Sequence, residues 1–201
     1  MTSKTRSTAL VAAVLAAASL LTAAVAFAAQ IPGTSGPDTL TGTDQRDRIF
    51  AGPGADTVDA KAGRDRVRGG RGDDTVEAGP GRDLVRGGWG DDTINGGPGH
   101  DLIFAQRGVD TVNGGQGADN LWALSRKDVT HVEGEPADTV NGGDGNDRIH
   151  VRDGEADTVT CGAGYDSVRA DRKDSVAADC EELRRRTVQK RDDRRENADD
   201  D

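Results

Sequence analysis

From Leu40 to Leu121 an apolar residue returns every nine positions: Leu40, Ile49, Val58, Val67, Val76, Val85, Ile94, Ile103, Val112 and Leu121. The residues flanking it are mostly polar, as in Thr75-Val76-Glu77. Polar-apolar-polar alternation over three residues predicts a short β-strand with one inward side chain. One such residue in nine cannot fill a globular core. It can fill the thin interior of a two-sided coil, where Val and Ile from facing strands meet. The pattern first fails at Thr130.

The polar positions keep the same period. Asp stands at 38, 47, 56, 65, 74, 83, 92, 101, 110, 119 and 128, always two residues before the apolar position. Gly usually precedes the Asp by two, with Gln45 and Arg126 the interruptions. Paired Gly allows turns where φ must be positive and lets backbone carbonyls come close to a ligand. The most regular units read GGRGDDTVE (69–77), GGWGDDTIN (87–95), GGPGHDLIF (96–104), GGQGADNLW (114–122) and GGDGNDRIH (142–150). They resemble the G-G-x-G-x-D-x-U-x nonapeptide of RTX, or haemolysin-type, calcium-binding repeats. The resemblance spans about residues 33–169. It implies an all-β fold, a parallel β-roll in which two nonapeptides make one coil, with about 7–8 coils in all.

In such a roll alternate repeats stack on opposite sides. Asp38, Asp56, Asp74, Asp92 and Asp110 then form one column, and Asp47, Asp65, Asp83, Asp101 and Asp119 the other. Bare carboxylates one strand spacing apart repel. A hard dication bound by Asp side chains and loop carbonyls removes that repulsion, and the flexible oxygen set suits Ca²⁺ better than Mg²⁺. The expected metal ligands are these ten Asp with Asp147 and Asp166. Carbonyls near Gly70, Gly72, Gly79, Gly81, Gly88, Gly90, Gly97, Gly99, Gly115 and Gly117 complete the set. Sites using Ala60-Lys61 or Ala105-Gln106 depart from Gly-Gly and are expected to be weaker, and Asp128 lacks both its turn Gly and its core residue. The competing reading is a Gly/Asp turn ladder without calcium. Three scattered His and two Cys do not form a soft-metal site.

Composition refines this. Asp and Glu number 36 against 26 Lys and Arg, a net charge of −10, and aromatics are 3%. That balance argues against a nucleic-acid partner. Residues 1–28 read as a signal peptide: Lys4 and Arg6, then an Ala/Val/Leu run closing on Ala26-Phe27-Ala28. The rival is a retained membrane anchor, since the run is about long enough to span. After cleavage no membrane contact is expected and the product is secreted. The repeats begin within a few residues of Ala28, which reads as a stand-alone repeat protein. Beyond Asp128 the period slips, with Asp138, Asp147, Asp157 and Asp166 at steps of ten, nine, ten and nine. Residues 123–135 read as a bulge within the roll, with a break into two rolls as the rival. Residues 170–182 read as a C-terminal cap tied by a Cys161–Cys180 disulfide, as an even cysteine pair in an exported chain favours. The charged segment 183–201 reads as a tail, a short helix running into disorder.

The two outward faces differ. One carries Thr39, Thr57, Thr75, Thr93 and Thr111. The other carries Arg48, Arg66, Arg68 and Arg86 with Leu84, Leu102, Phe104 and Trp122. The last four suggest an interaction face. The Thr row reads as ordinary β-branched surface, and Arg71-Gly72-Asp73 as a coincidence of composition. No catalytic motif is present, so the protein is expected not to be an enzyme. The expected function is an exported calcium-binding repeat protein that folds on binding several ions. The alternative is a surface or matrix adhesion module using the Phe/Trp/Arg face.

Overall fold

Eighteen residues, two nonapeptides, make each coil. Residues 29–123 and 137–185 are described in the computed structural model. The predicted signal peptide, the predicted bulge apart from Ala123, and residues 186–201 lie outside them. In chain order the strands are β1 (Gln30–Pro32), β2 (Thr39–Thr41), β3 (Arg48–Pro53), β4 (Thr57–Asp59), β5 (Arg66–Arg71), β6 (Thr75–Glu77), β7 (Leu84–Trp89), β8 (Thr93–Gly99) and β9 (Leu102–Arg107). They continue as β10 (Thr111–Gly117), β11 (Asn120–Trp122), β12 (Thr139–Asp144), β13 (Arg148–His150), β14 (Thr158–Ala163), β15 (Ser167–Ala170), β16 (Ser175–Val176) and β17 (Glu182–Arg185). All odd-numbered strands form one nine-stranded sheet and all even-numbered strands an eight-stranded one, each in chain order. Every pairing is parallel, as a coil that always turns the same way requires. This is the expected parallel β-solenoid, of about eight turns.

Register follows the sequence period. Val58 pairs with Val76 and Val76 with Ile94, eighteen residues apart. Across the irregular segment the step lengthens to 28, with Val112 opposite Val140 and Leu121 opposite Ile149. Both sheets run through this step unbroken, so the roll is single and the second-roll alternative is excluded. The next step is nineteen, Val140 opposite Val159.

The core is one layer of small and branched side chains. Ile49, Val58, Val76, Val85, Ile103, Leu121, Val140 and Ile149 are completely buried. A second inward row was not anticipated. In β3 and β5 the burial alternates through the residue after the predicted triplet, so Ala51 and Gly69 also face inward. Ala60, Ala78, Ala105 and Cys161 occupy the same position, all fully buried. Strands β3, β5, β7 and β9 therefore run six residues rather than three.

The C-terminal end departs from expectation. The segment expected to begin a charged helix instead forms β17, paired with β15 as Val168 opposite Leu183. The open edge of β15 supplies a line of backbone hydrogen-bonding groups, and satisfying them outweighs the helix propensity of Glu-Leu-Arg-Arg. Cys161 and Cys180 are joined by the predicted disulfide.

Candidate metal centres

Each Asp is placed by the backbone of the coil before it. The carboxylate Oδ1 of Asp56 accepts the N–H of Asp38 at 2.8 Å. Asp74, Asp92 and Asp110 each accept from the Asp eighteen residues earlier at 2.9 Å. Asp138 accepts from Asp110 at 2.8 Å and Asp157 from Asp138 at 3.0 Å. The second column runs in the same way, through Asp47, Asp65, Asp83, Asp101, Asp119, Asp147 and Asp166. Its end rung uses Glu181, whose Oε2 accepts the Asp166 N–H at 2.8 Å. From Asp47 to Asp166 the carboxylates of both columns are at most 2% exposed.

The other oxygen is left without a partner. Oδ2 of Asp56, Asp65, Asp74, Asp83, Asp92, Asp101, Asp110, Asp119, Asp147, Asp157 and Asp166 is buried and accepts no hydrogen bond. It lies against the first Gly of its own turn: a Cβ on Gly69 or Gly87 would stand 2.3 Å or 2.2 Å from the Oδ2 of Asp74 or Asp92. A row of orphaned anionic oxygens inside a protein is costly unless a cation or a proton reaches it. Burial accordingly lowers the acidity of Asp65, Asp74, Asp83, Asp92, Asp101, Asp110 and Asp147, opposed by the N–H bond to Oδ1 and reinforced by neighbouring carboxylates. The pKa rises to about 6 for Asp65, Asp74, Asp101, Asp110 and Asp147, about 7 for Asp83 and about 8 for Asp92.

The glycine carbonyls crowd the same turns. The carbonyl oxygens of Gly70, Gly79, Gly97 and Gly115 point at the glycine one coil on, where a Cβ would sit 2.2, 2.9, 2.3 and 2.0 Å away. Those of Gly72, Gly81, Gly90, Gly99 and Gly117 stack in the same manner. Only glycine tolerates so close a backbone. Hard oxygens, anionic and carbonyl, thus line each turn without a soft donor, and the residues fit Ca²⁺.

Three features alter the ligand set read from the sequence. Asp38 and Asp47 have no orphaned oxygen. Thr34 and Thr43, in G-T-x-x-x-D turns, donate both N–H and hydroxyl to Oδ2. Second, Asp138 and Asp157, absent from the expected set, occupy the first column fully. Their signal was the D-T-V triplet they share with Asp56. Third, Glu155 brings a side-chain carboxylate to that column. Oxygens of Asp138, Glu155 and Asp157 lie within 4.8 Å of one another, where the turn 151–156 has no Gly pair. Burial, with nearby acidic charge, pushes Asp138 up to about 8 and Asp157 to about 9.

On the nine-stranded face, Leu84 lies beside Leu102 and Phe104 beside Trp122. All four are half-buried. Phe104 and Trp122 stack at 6.0 Å, and Trp122 stacks on His150 at 3.8 Å.

The family model of the RTX calcium-binding nonapeptide repeat matches residues 32–67, 60–94, 68–103, 86–121 and 137–168. No curated protein matches the chain.

Proposed function

Since the chain belongs to the RTX calcium-binding nonapeptide repeat family, we propose that it is an exported structural protein, without catalysis of its own, whose roll is completed by calcium at the two Asp columns. The observation that carries this is the repeating buried Oδ2 with no partner. Calcium supplies two positive charges and accepts six to eight oxygens at flexible geometry. Residues 69–122 hold the most regular turns, so Asp74, Asp83, Asp92, Asp101 and Asp119 with their glycine carbonyls form the principal sites. Asp38 and Asp47, already satisfied by threonines, close the first turns without an ion. Asp138, Glu155 and Asp157 form a site built from side chains alone. The apolar layer is thin, and ion binding contributes folding free energy that it cannot. Export is supported by the leader-like sequence of residues 1–28 and by the disulfide, which suits an oxidising compartment. Extracellular calcium sites work near about 10⁻⁴–10⁻³ M, so the chain is expected to fold on leaving the cell.

The test is circular dichroism of the chain from Ala29 in EDTA while calcium is added, with magnesium as control. A cooperative rise in β signal with calcium alone is expected, and Asp92→Ala should move its midpoint several-fold upward. A chain fully β-structured in EDTA, or an unmoved midpoint, would overturn the assignment.

A second reading is favoured by one observation: the outward residues of the nine-stranded sheet stack into cation–aromatic rows. Arg71 and Arg107 lie 5.2 and 4.3 Å from the Trp89 ring, and Arg86 5.5 Å from Phe104. Such an ordered surface suits an interaction module. Trp122→Ala would weaken partner contact while leaving calcium-dependent folding intact.

A further inference from the structure

The chain is acidic, yet one long face is cationic. Arg46, Arg64 and Arg82 stand at the same position of three successive coils, just before the Asp of the second column. With Arg66 they line a groove of about 200 Å³, whose walls include Leu84 and Leu102, whose far end carries His100 and Asn120, and whose lining also holds Asp65, Asp83 and Asp101 of the second column, the carboxylates that calcium would neutralise. Beside the groove, Arg68 pairs in register with Arg86. Among the described residues the ion pairs are Lys61–Asp59 and Arg184–Glu182. None of the groove arginines has a carboxylate at ion-pair distance.

We propose that this face binds a linear acidic polysaccharide, whose carboxylates or sulfates pair with Arg46, Arg64, Arg66 and Arg82. This rests on reading the face as an interaction surface. Cations recur once per coil, about 4.8 Å along the axis. An extended pyranose chain presents acidic groups at close to that interval, one per ring. Guanidinium forks recognise such planar oxyanions in a bidentate manner. Nucleic acid fits less well. Trp89 already packs with Arg71 and Arg107, and Trp122 with Phe104 and His150, so a base stacking on either ring would compete with contacts the chain makes itself. A flat sheet also offers no helix or ribbon to enter a duplex groove. The charge arithmetic couples the two activities. Each calcium ion adds two positive charges; the chain from Ala29, without Lys4 and Arg6, carries a formal −12, so six ions cancel it, and the arginines then dominate the field. Polyanion binding should therefore need the calcium-loaded roll.

The experiment measures fluorescent dextran sulfate binding to the chain from Ala29 in calcium, with uncharged dextran as control and circular dichroism reporting the fold. Binding to dextran sulfate alone is expected. It should weaken at least tenfold in Arg64→Ala/Arg82→Ala and in the isosteric Arg64→Gln/Arg82→Gln. It should be unchanged in Arg172→Ala, which removes an exposed charge in the C-terminal turn, away from the groove. Equal weakening by Arg172→Ala would reduce the effect to general electrostatics and overturn the site. Tighter binding of single-stranded DNA or of phosphatidylserine vesicles, lost with the same two arginines, would overturn the polysaccharide while keeping the interaction face. No binding of any polyanion by the calcium-folded roll would overturn both.

Discussion

Lys61 and Gln106 stand where other coils have glycine, and they alone among the described non-glycine residues have positive φ, at 70° and 92°. The equivalent glycines lie between 86° at Gly79 and 136° at Gly70 and Gly88. A side chain with a Cβ in that region costs roughly 1 kcal/mol or more. Gln106→Gly is therefore expected to stabilise the calcium-loaded roll by about 1 kcal/mol, less the added freedom of the unfolded chain. Thermal melts in saturating calcium measure it, and a lowered Tm would show that Gln106 is supported by contacts that outweigh its backbone strain. The departure from Gly-Gly at these two positions was legible in the sequence, and its backbone consequence is what the structure adds. The Asp columns were legible too, because a nine-residue period with alternating sides dictates them. What could not be read was the division of labour within one carboxylate: Oδ1 fixed by the previous coil, Oδ2 left over. That division depends on the turn backbone, and it explains why Thr34 and Thr43 change the first two turns.

At the scale of elements, the short triplets marked the strands but understated them. The second inward row is Gly or Ala, too small to announce a core position through hydrophobicity, so the strand seemed to end where the glycines begin. The last strand was misread for the opposite reason. Glu182–Arg185 has helix-forming composition, and only the presence of β15 beside it makes it a strand. This terminal coil is secured from several sides. Arg185 donates to the carbonyls of Asp171 and Asp174 at 3.1 and 3.0 Å, Glu181 closes the second column, and the disulfide spans 19 residues. A loop of that size contributes roughly 3 kcal/mol through the unfolded chain. Cys161→Ser/Cys180→Ser should lower stability by about that amount, and the calcium midpoint should rise with it. Chemical denaturation at fixed calcium checks this, and an unchanged midpoint would show that β17 holds the end unaided.

Across the whole molecule the buried carboxylates make stability depend on pH in an unusual direction. Unfolded carboxylates titrate near 4, whereas burial raises Asp83 to about 7 and Asp92 to about 8 in the roll. Between those limits the ion-free roll holds more protons than the unfolded chain. Its stability is then greatest at or below about pH 4 and falls as pH rises toward 8. In EDTA, β structure and Tm should therefore increase on acidification from pH 8 to pH 5. In limiting calcium the ion competes with those protons, so the calcium midpoint should rise as pH falls. Melts across that range in EDTA test the first statement, and a Tm that drops on acidification would refute it.

Each coil touches only the coil before and the coil after, in the same register, and the ten-residue excess at the 28-residue step is absorbed without disturbing either sheet. Length is consequently counted in integers. Excising or duplicating one eighteen-residue unit would join equivalent rungs and change the rod by one strand spacing, about 4.8 Å. The carboxylate rows and the arginine rows would lengthen by the same increment. The molecule is thus a ruler whose graduations are its binding positions, with its reach open to adjustment by gene duplication one coil at a time.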